Sequence, residues 1–221
     1  MKKNFKMLFL ISLLAVAGSI IIATGQAEAS TLYRGYNPNT GEHLYTQNSN
    51  EIPSIVKFGW KNEGLAWSAP DKGIAVYRLF NPNNGGDHFY TLNTNERDHL
   101  KKSGWRYEGI SWFSGGTVPV YRLYNPNAKS GTHHYTVLAS ERDVLKRAGW
   151  RDEGIGFYAN KLVPEGSWVK AFEAKLYAQY KVTTQKYEYI GNNSWEVWVN
   201  EYNTGNQSYV TVNSATGNFH G

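Results

Sequence analysis

The stretch Val76–Phe113, VYRLFNPNNGGDHFYTLNTNERDHLKKSGWRYEGISWF, is one of three copies of a single unit. Tyr33, Tyr77 and Tyr121 each open the phrase Tyr-Arg-x-aromatic-Asn-Pro, 44 residues apart. Gly59-Trp60, Gly104-Trp105 and Gly149-Trp150 each open Gly-Trp-x-x-Glu-Gly, 45 residues apart. Between them His-x-Tyr-Thr begins at His43, His88 and His133, and each copy closes on an aromatic, Trp67, Trp112 or Phe157. A fixed period of this length marks a repeat architecture. The copies divide as 31–75, 76–119 and 120–161.

The wording of each copy predicts its local structure. Val76 to Asn81 is an aromatic and β-branched run suited to a strand. The segment 81–86 supplies turn chemistry, because Pro presets φ and Gly accepts positive φ. The equivalent loops lengthen by one residue per copy, as a surface hairpin tip allows. His88 to Leu92 reads as the return strand. Asn95 is placed to cap a short helix, with Glu96 at its positive end. Lys101 and Lys102 fall in its last turn and Gly104 at its left-handed stop, repeated at Gly59 and Gly149. Pro53 of the first copy falls in the first helical turn, where a missing N–H costs little. Trp105 to Phe113 returns to strand, bent at Gly109.

A unit of three or four short strands cannot bury both of its faces, so the three must close on one another. Propellers share the repeat length but need more blades. The expected fold is therefore mainly β: a pseudo-threefold, β-trefoil-like domain over 30–162, with a short helix in each copy. The phrases VYRLFNP, DHFYT, ERDHL and GWRYEGISWF resemble a bacterial secreted repeat family labelled as a domain of unknown function. That resemblance covers 31–161 and implies a trefoil-like, surface-binding accessory role, often attached to cell-wall hydrolases. It brings no catalytic residues. The first copy departs most, with Gly35 for Leu and Ile52-Pro53-Ser54 for Arg-Asp-x.

Val163–Gly166 reads as a linker to a small α+β domain over 167–221. Ser167 is placed to cap a helix in which Val169, Phe172, Leu176 and Tyr180 share one face. Strands follow around Lys186–Ile190, Trp195–Tyr202 and Ser208–Asn213, joined by hairpin-like turns. A helix on a three-stranded antiparallel meander is the expected core. The ending YVTVNSATGN resembles the closing hairpin of PepSY-type exported domains. Trp195, Val197 and Val199 share one strand face. Trp198 lies on the other, either as core of a second face or as an exposed contact.

Residues 1–29 have the layout of a secretory signal: Lys2, Lys3 and Lys6, an apolar run from Met7 to Ala23, and Ala27-Glu28-Ala29 before the cut. Its removal leaves 20 basic and 17 acidic residues, or +3 in place of the full-length +5. That slight excess gives no warrant for nucleic-acid binding. No later segment is long and apolar enough to span a membrane. With no Cys, a disulfide scaffold, thiolate zinc site and cysteine nucleophile are all excluded. The chain is expected to be extracellular or wall-associated.

Candidate site residues fall into four sets. His43, His88 and His133 read as hydrogen-bonded hairpin residues, and only convergence on the axis makes them a metal site. Arg34, Arg78, Arg122 and Glu63, Glu108, Glu153 recur as inter-strand ion pairs or as a repeated polar ligand contact. Trp60, Trp105 and Trp150 are expected to fill the shared core. Tyr36, Phe80 and Tyr124 adjoin the Asn-Pro turns, and Tyr45, Tyr90 and Tyr135 face them across the hairpin. These rings, with Trp198, are either packing or shallow sugar-binding surfaces, since flat rings supply area at low entropy cost.

No paired-carboxylate site, nucleophile elbow, zinc helix or phosphate loop is present, and no cofactor is expected. The leading expectation is a secreted, non-catalytic protein that binds a glycan or cell-wall polymer. The alternatives are a protein-interaction or protease-inhibitor module, with an extracellular protein partner held by the C-terminal domain, and a cell-wall hydrolase accessory.

Overall fold

A computed structural model describes residues 30–221; the signal expected over 1–29 lies outside the described residues. The first copy contains β1 (Ser30–Tyr36), β2 (His43–Thr46), α1 (Glu51–Val56) and β3 (Lys61–Ala69). The second contains β4 (Ile74–Asn81), β5 (Asp87–Thr91), α2 (Thr94–Lys102) and β6 (Arg106–Ser114). The third repeats this with β7 (Val118–Tyr124), β8 (His133–Thr136), α3 (Ala139–Arg147) and β9 (Arg151–Ala159). In each copy the first strand lies between the other two in a three-stranded antiparallel sheet.

The local signals act much as their chemistry dictates. Gly59, Gly104 and Gly149 have φ of 88°, 91° and 93°, the left-handed stop that each helix requires. Gly109 has φ of 101° beside a shift of register in the β4–β6 pairing, so the expected bend is a bulge. The cap of α2 is Asn93 rather than Asn95. Its side chain accepts from the backbone N–H of Asn95 and Glu96, which places the helix start two residues earlier.

The centre of the domain is three layers of equivalent residues: Leu32, Val76 and Val120; Trp67, Trp112 and Phe157; Tyr45, Tyr90 and Tyr135. Trp60, Trp105 and Trp150 do not fill it, contrary to expectation. They precede the third strands and are half-buried at the flanks, Trp105 against Phe89 and Trp150 against His134. Tyr45, Tyr90 and Tyr135 are fully buried, so they offer no surface to a ligand.

Those three tyrosines form a closed ring of hydrogen bonds. The Tyr90 hydroxyl donates to the Tyr45 carbonyl (2.9 Å) and accepts from the Tyr45 N–H (3.0 Å). Tyr135 makes the same pair with Tyr90 (2.8 and 3.1 Å), and Tyr45 with Tyr135 (2.8 and 3.1 Å). Their rings meet edge to face at 5.6–5.7 Å, a favoured aromatic geometry.

The C-terminal domain packs α4 (Ser167–Tyr180) on β10 (Thr184–Gly191), β11 (Ser194–Val199), β12 (Val210–Asn213) and β13 (Phe219–His220), paired in that order. The expected three-stranded meander thus gains a short fourth strand. Gly166, not Ser167, precedes the helix, and no side chain caps it. Asn192 and Asn193 both have positive φ, 52° and 58°, as a two-residue type I′ hairpin requires. Phe172 and Leu176 meet Trp195, Val197 and Val199 in the core. Trp198, on the opposite face, is also buried. Its indole N–H donates to the Gly205 carbonyl (3.2 Å) and the Lys186 amine lies 3.9 Å from its ring, so it is not an exposed contact. Among the described residues no helix is long and apolar enough to cross a membrane.

Tyr90→Phe removes one hydroxyl and leaves a buried N–H and C=O of Tyr45 unpaired, at about 1–3 kcal/mol each. Urea unfolding is expected to show a loss of about 2–6 kcal/mol with little change in m. A loss below about 0.5 kcal/mol contradicts a structural role for the ring.

Candidate functional site

Around the tyrosine ring, the central-strand arginines join neighbouring copies. Arg78 holds Glu108 of its own copy through Nε (2.8 Å) and Glu51 of the first copy through Nη1 (3.1 Å). Arg34 holds Glu63 (2.7 Å) and Glu141 (3.0 Å); Arg122 holds Glu153 (2.9 Å) and Glu96 (3.1 Å). Glu51, Glu96 and Glu141 sit in the first turns of α1, α2 and α3, where negative charge is favoured. Each arginine therefore ties its own third strand to the preceding copy's helix, with the first copy's arginine reaching the third. Sequence reading found the Arg and the first Glu set but missed Glu51, Glu96 and Glu141, which also recur every 45 residues.

His43, His88 and His133 complete these clusters, each with Nε2 3.5 Å from the glutamate of its own copy. They do not converge on an axial site, and no group of three metal-ligating side chains gathers among the described residues. Glu42 of the first copy also bonds the His88 backbone N–H (3.0 Å) and approaches its Nδ1. Burial works against the charged form of His88, but Glu108 and Glu42 outweigh it and raise its pKa. The His88 hydrogen bond, with help from Arg106 and Arg78, holds Glu108 down to about 2 against burial. Burial pushes Glu141 up, yet His134 and Arg34 hold it well below the usual carboxylate range. Carboxylates fixed as anions in this way accept hydrogen bonds and do not deliver protons.

Grooves open beside two of the arginine clusters. Between the first and second copies Thr46, Gln47, Asn48 and Glu51 face Arg78, Glu108, Ile110 and Ser111 around about 270 Å³. The equivalent positions between the third and first copies are Thr136, Val137, Leu138 and Glu141 facing Arg34, Leu65 and Ala66. There Tyr189 and Gly191 of the C-terminal domain enter the groove and leave only about 20 Å³. Between the second and third copies the register places Leu92, Asn93 and Glu96 opposite Arg122, Glu153 and Ile155. Two further clefts, of about 310 and 390 Å³, follow the seam with the C-terminal domain.

The remaining aromatic candidates lie elsewhere. Tyr36, Phe80 and Tyr124 are half-buried and pack on His43, His88 and His133 at 4.9, 4.7 and 5.1 Å. Arg106 lies 4.9 Å from the Phe80 ring and Arg151 lies 6.0 Å from Tyr124. These rings already serve as platforms for the chain's own side chains, and they line none of the cavities described above.

Residues 31–160 match the family described as domain of unknown function (DUF5648). The chain belongs to that family. No curated protein and no solved structure matches the chain. The match spans the three copies and stops before the C-terminal domain, so the arginine clusters and the grooves are formed on the family's own segment.

His134 is a buried titratable residue peculiar to the third copy. Leu44 and Phe89 occupy its position in the other copies, and all three are buried. Burial pushes the imidazole down to about 4. The unfolded chain takes up its proton near pH 6.5, so the stability present above that pH is lost as pH falls toward 4. His134→Phe is expected to abolish that part of the acid sensitivity, worth on the order of 3 kcal/mol. Urea midpoints measured from pH 7 to 4 check it; parallel slopes for the two proteins contradict it.

Proposed function

We propose that this is a non-catalytic binding protein, exported and wall-associated, that recognises the carbohydrate of a surface polymer. The observation that carries the reading is the open groove between the first and second copies. Its lining combines amide, hydroxyl, guanidinium and carboxylate groups with one apolar side chain, Ile110. A sugar ring needs that mixture, because it presents an apolar face and a rim of hydroxyls. The arginine-bound glutamates suit it too, as acceptors whose orientation Arg78 and its equivalents fix. The contact is assigned to the grooves rather than to the rings at the Asn-Pro turns. Repetition of a shallow site gives avidity on a polymer. The trefoil likeness of the repeats and the PepSY likeness of the last hairpin fit an exported accessory protein.

A second reading, a protein-interaction module acting through the C-terminal domain, draws on one observation. That domain already inserts Tyr189 between the third and first copies, so one groove of this design accepts polypeptide.

Retention of the purified protein on insoluble peptidoglycan, chitin and cellulose tests the first reading. Retention on at least one is expected, with Gln47→Ala and Ser111→Ala together weakening it about 10- to 100-fold through lost avidity. No retention on any of the three, or retention the double variant leaves unchanged, overturns the assignment.

A further inference from the structure

The three sites between copies share one arginine–glutamate plan and differ at a few positions around it. Leu65, Ile110 and Ile155 are equivalent residues at a break in strand register. Leu65 packs against the C-terminal core, whereas Ile110 is 54% exposed and Ile155 47%. A Cβ on Gly64 would overlap the Asn193 side chain, while one on Gly109 or Gly154 meets nothing within 4 Å. Helix starts show the same asymmetry. Asn93 caps α2, but Leu138 stands at the equivalent position of α3, caps nothing, and lies where a Cβ on Gly191 would touch it. The site between the third and first copies is thus adapted to its resident hairpin, whereas Asn48 and Asn93 stand at the position of Leu138 in the other two.

In the filled groove the Tyr189 hydroxyl donates to the Leu65 carbonyl at 2.7 Å. A phenol there is a six-membered ring with an apolar face and a hydroxyl donor on its edge. A pyranose offers the same two features, with further hydroxyls for the charged rim. We infer that Tyr189 occupies the place that a pyranose ring takes in the other two sites, so that each chain holds two sugar rings, one over Ile110 and one over Ile155. This rests on the carbohydrate reading above. Each ring stacks on its isoleucine and donates to that residue's carbonyl. Arg78 with Glu108, and Arg122 with Glu153, fix the remaining hydroxyls. The groove between the third and first copies is closed to sugar by the protein itself.

Calorimetric titration of the exported chain with chitotriose, cellotriose and maltotriose tests the inference. Two equivalents of one trisaccharide are expected, with Ile110→Glu and Ile155→Glu each removing one and Ile110→Leu retaining both. One or three equivalents, or two that both glutamate variants leave intact, overturn the inference and leave the carbohydrate reading standing. Binding of none of the three sugars overturns both. A synthetic hairpin of residues 184–199 that binds the open grooves when no sugar does assigns them to polypeptide and overturns both as well.

Discussion

Each phenolic hydroxyl in the tyrosine ring pairs with the backbone N–H and C=O of a neighbouring copy's second strand, and the rest of the structure depends on that exchange. A copy taken alone would leave those backbone groups, and its own hydroxyl, without partners in an apolar setting. The ring closes only with three copies present, because each tyrosine serves the preceding copy and is served by the following one, the first serving the third. Closure is therefore specified by hydrogen bonding as well as by apolar burial. The aromatic layer of Trp67, Trp112 and Phe157 fills the space beside it.

The arginine clusters sit outside this ring and repeat its logic in charge. Each guanidinium uses one edge for its own copy and another for its neighbour, so the ion pairs at the three interfaces have the same form. Such partly buried pairs stabilise modestly by themselves, but losing one partner strands a charge. Their main effect is on shape, because they hold the third strand of one copy and the helix of the preceding copy at a fixed separation. Symmetry then allows divergence. With three equivalent sites fixed by the frame, Leu138 adapts one to the C-terminal domain without disturbing the other two.

Much of this frame was legible in the sequence. The period, the strands, the helix stops at Gly59, Gly104 and Gly149 and the hairpin at Asn192-Asn193 followed from local stereochemistry. Burial was harder, because a recurring aromatic has the same spacing whether it is core or surface. Tyr45, Tyr90 and Tyr135 read as possible ligand rings for that reason, and Trp60, Trp105 and Trp150 as core. Only the cyclic contacts between copies separate the two sets, and no single copy contains them. Glu51 was missed for a related reason: Ile52-Pro53 disguised the first copy's helix start, although the 45-residue spacing to Glu96 and Glu141 was there to be read. Docking of Tyr189 on Leu65 joins residues 124 positions apart, and the only sequence trace of it is Leu138 where Asn stands in the other copies.

The asymmetry of the three sites is the claim from which valency and ligand both derive. Methyl NMR of the protein in the presence of a neutral soluble paramagnet reads it directly, without any ligand. The methyls of Ile110 and Ile155 should be strongly broadened and those of Leu65 protected by the docked hairpin. Equal broadening at all three positions would show that the C-terminal domain does not occupy its groove in solution, and would contradict the account.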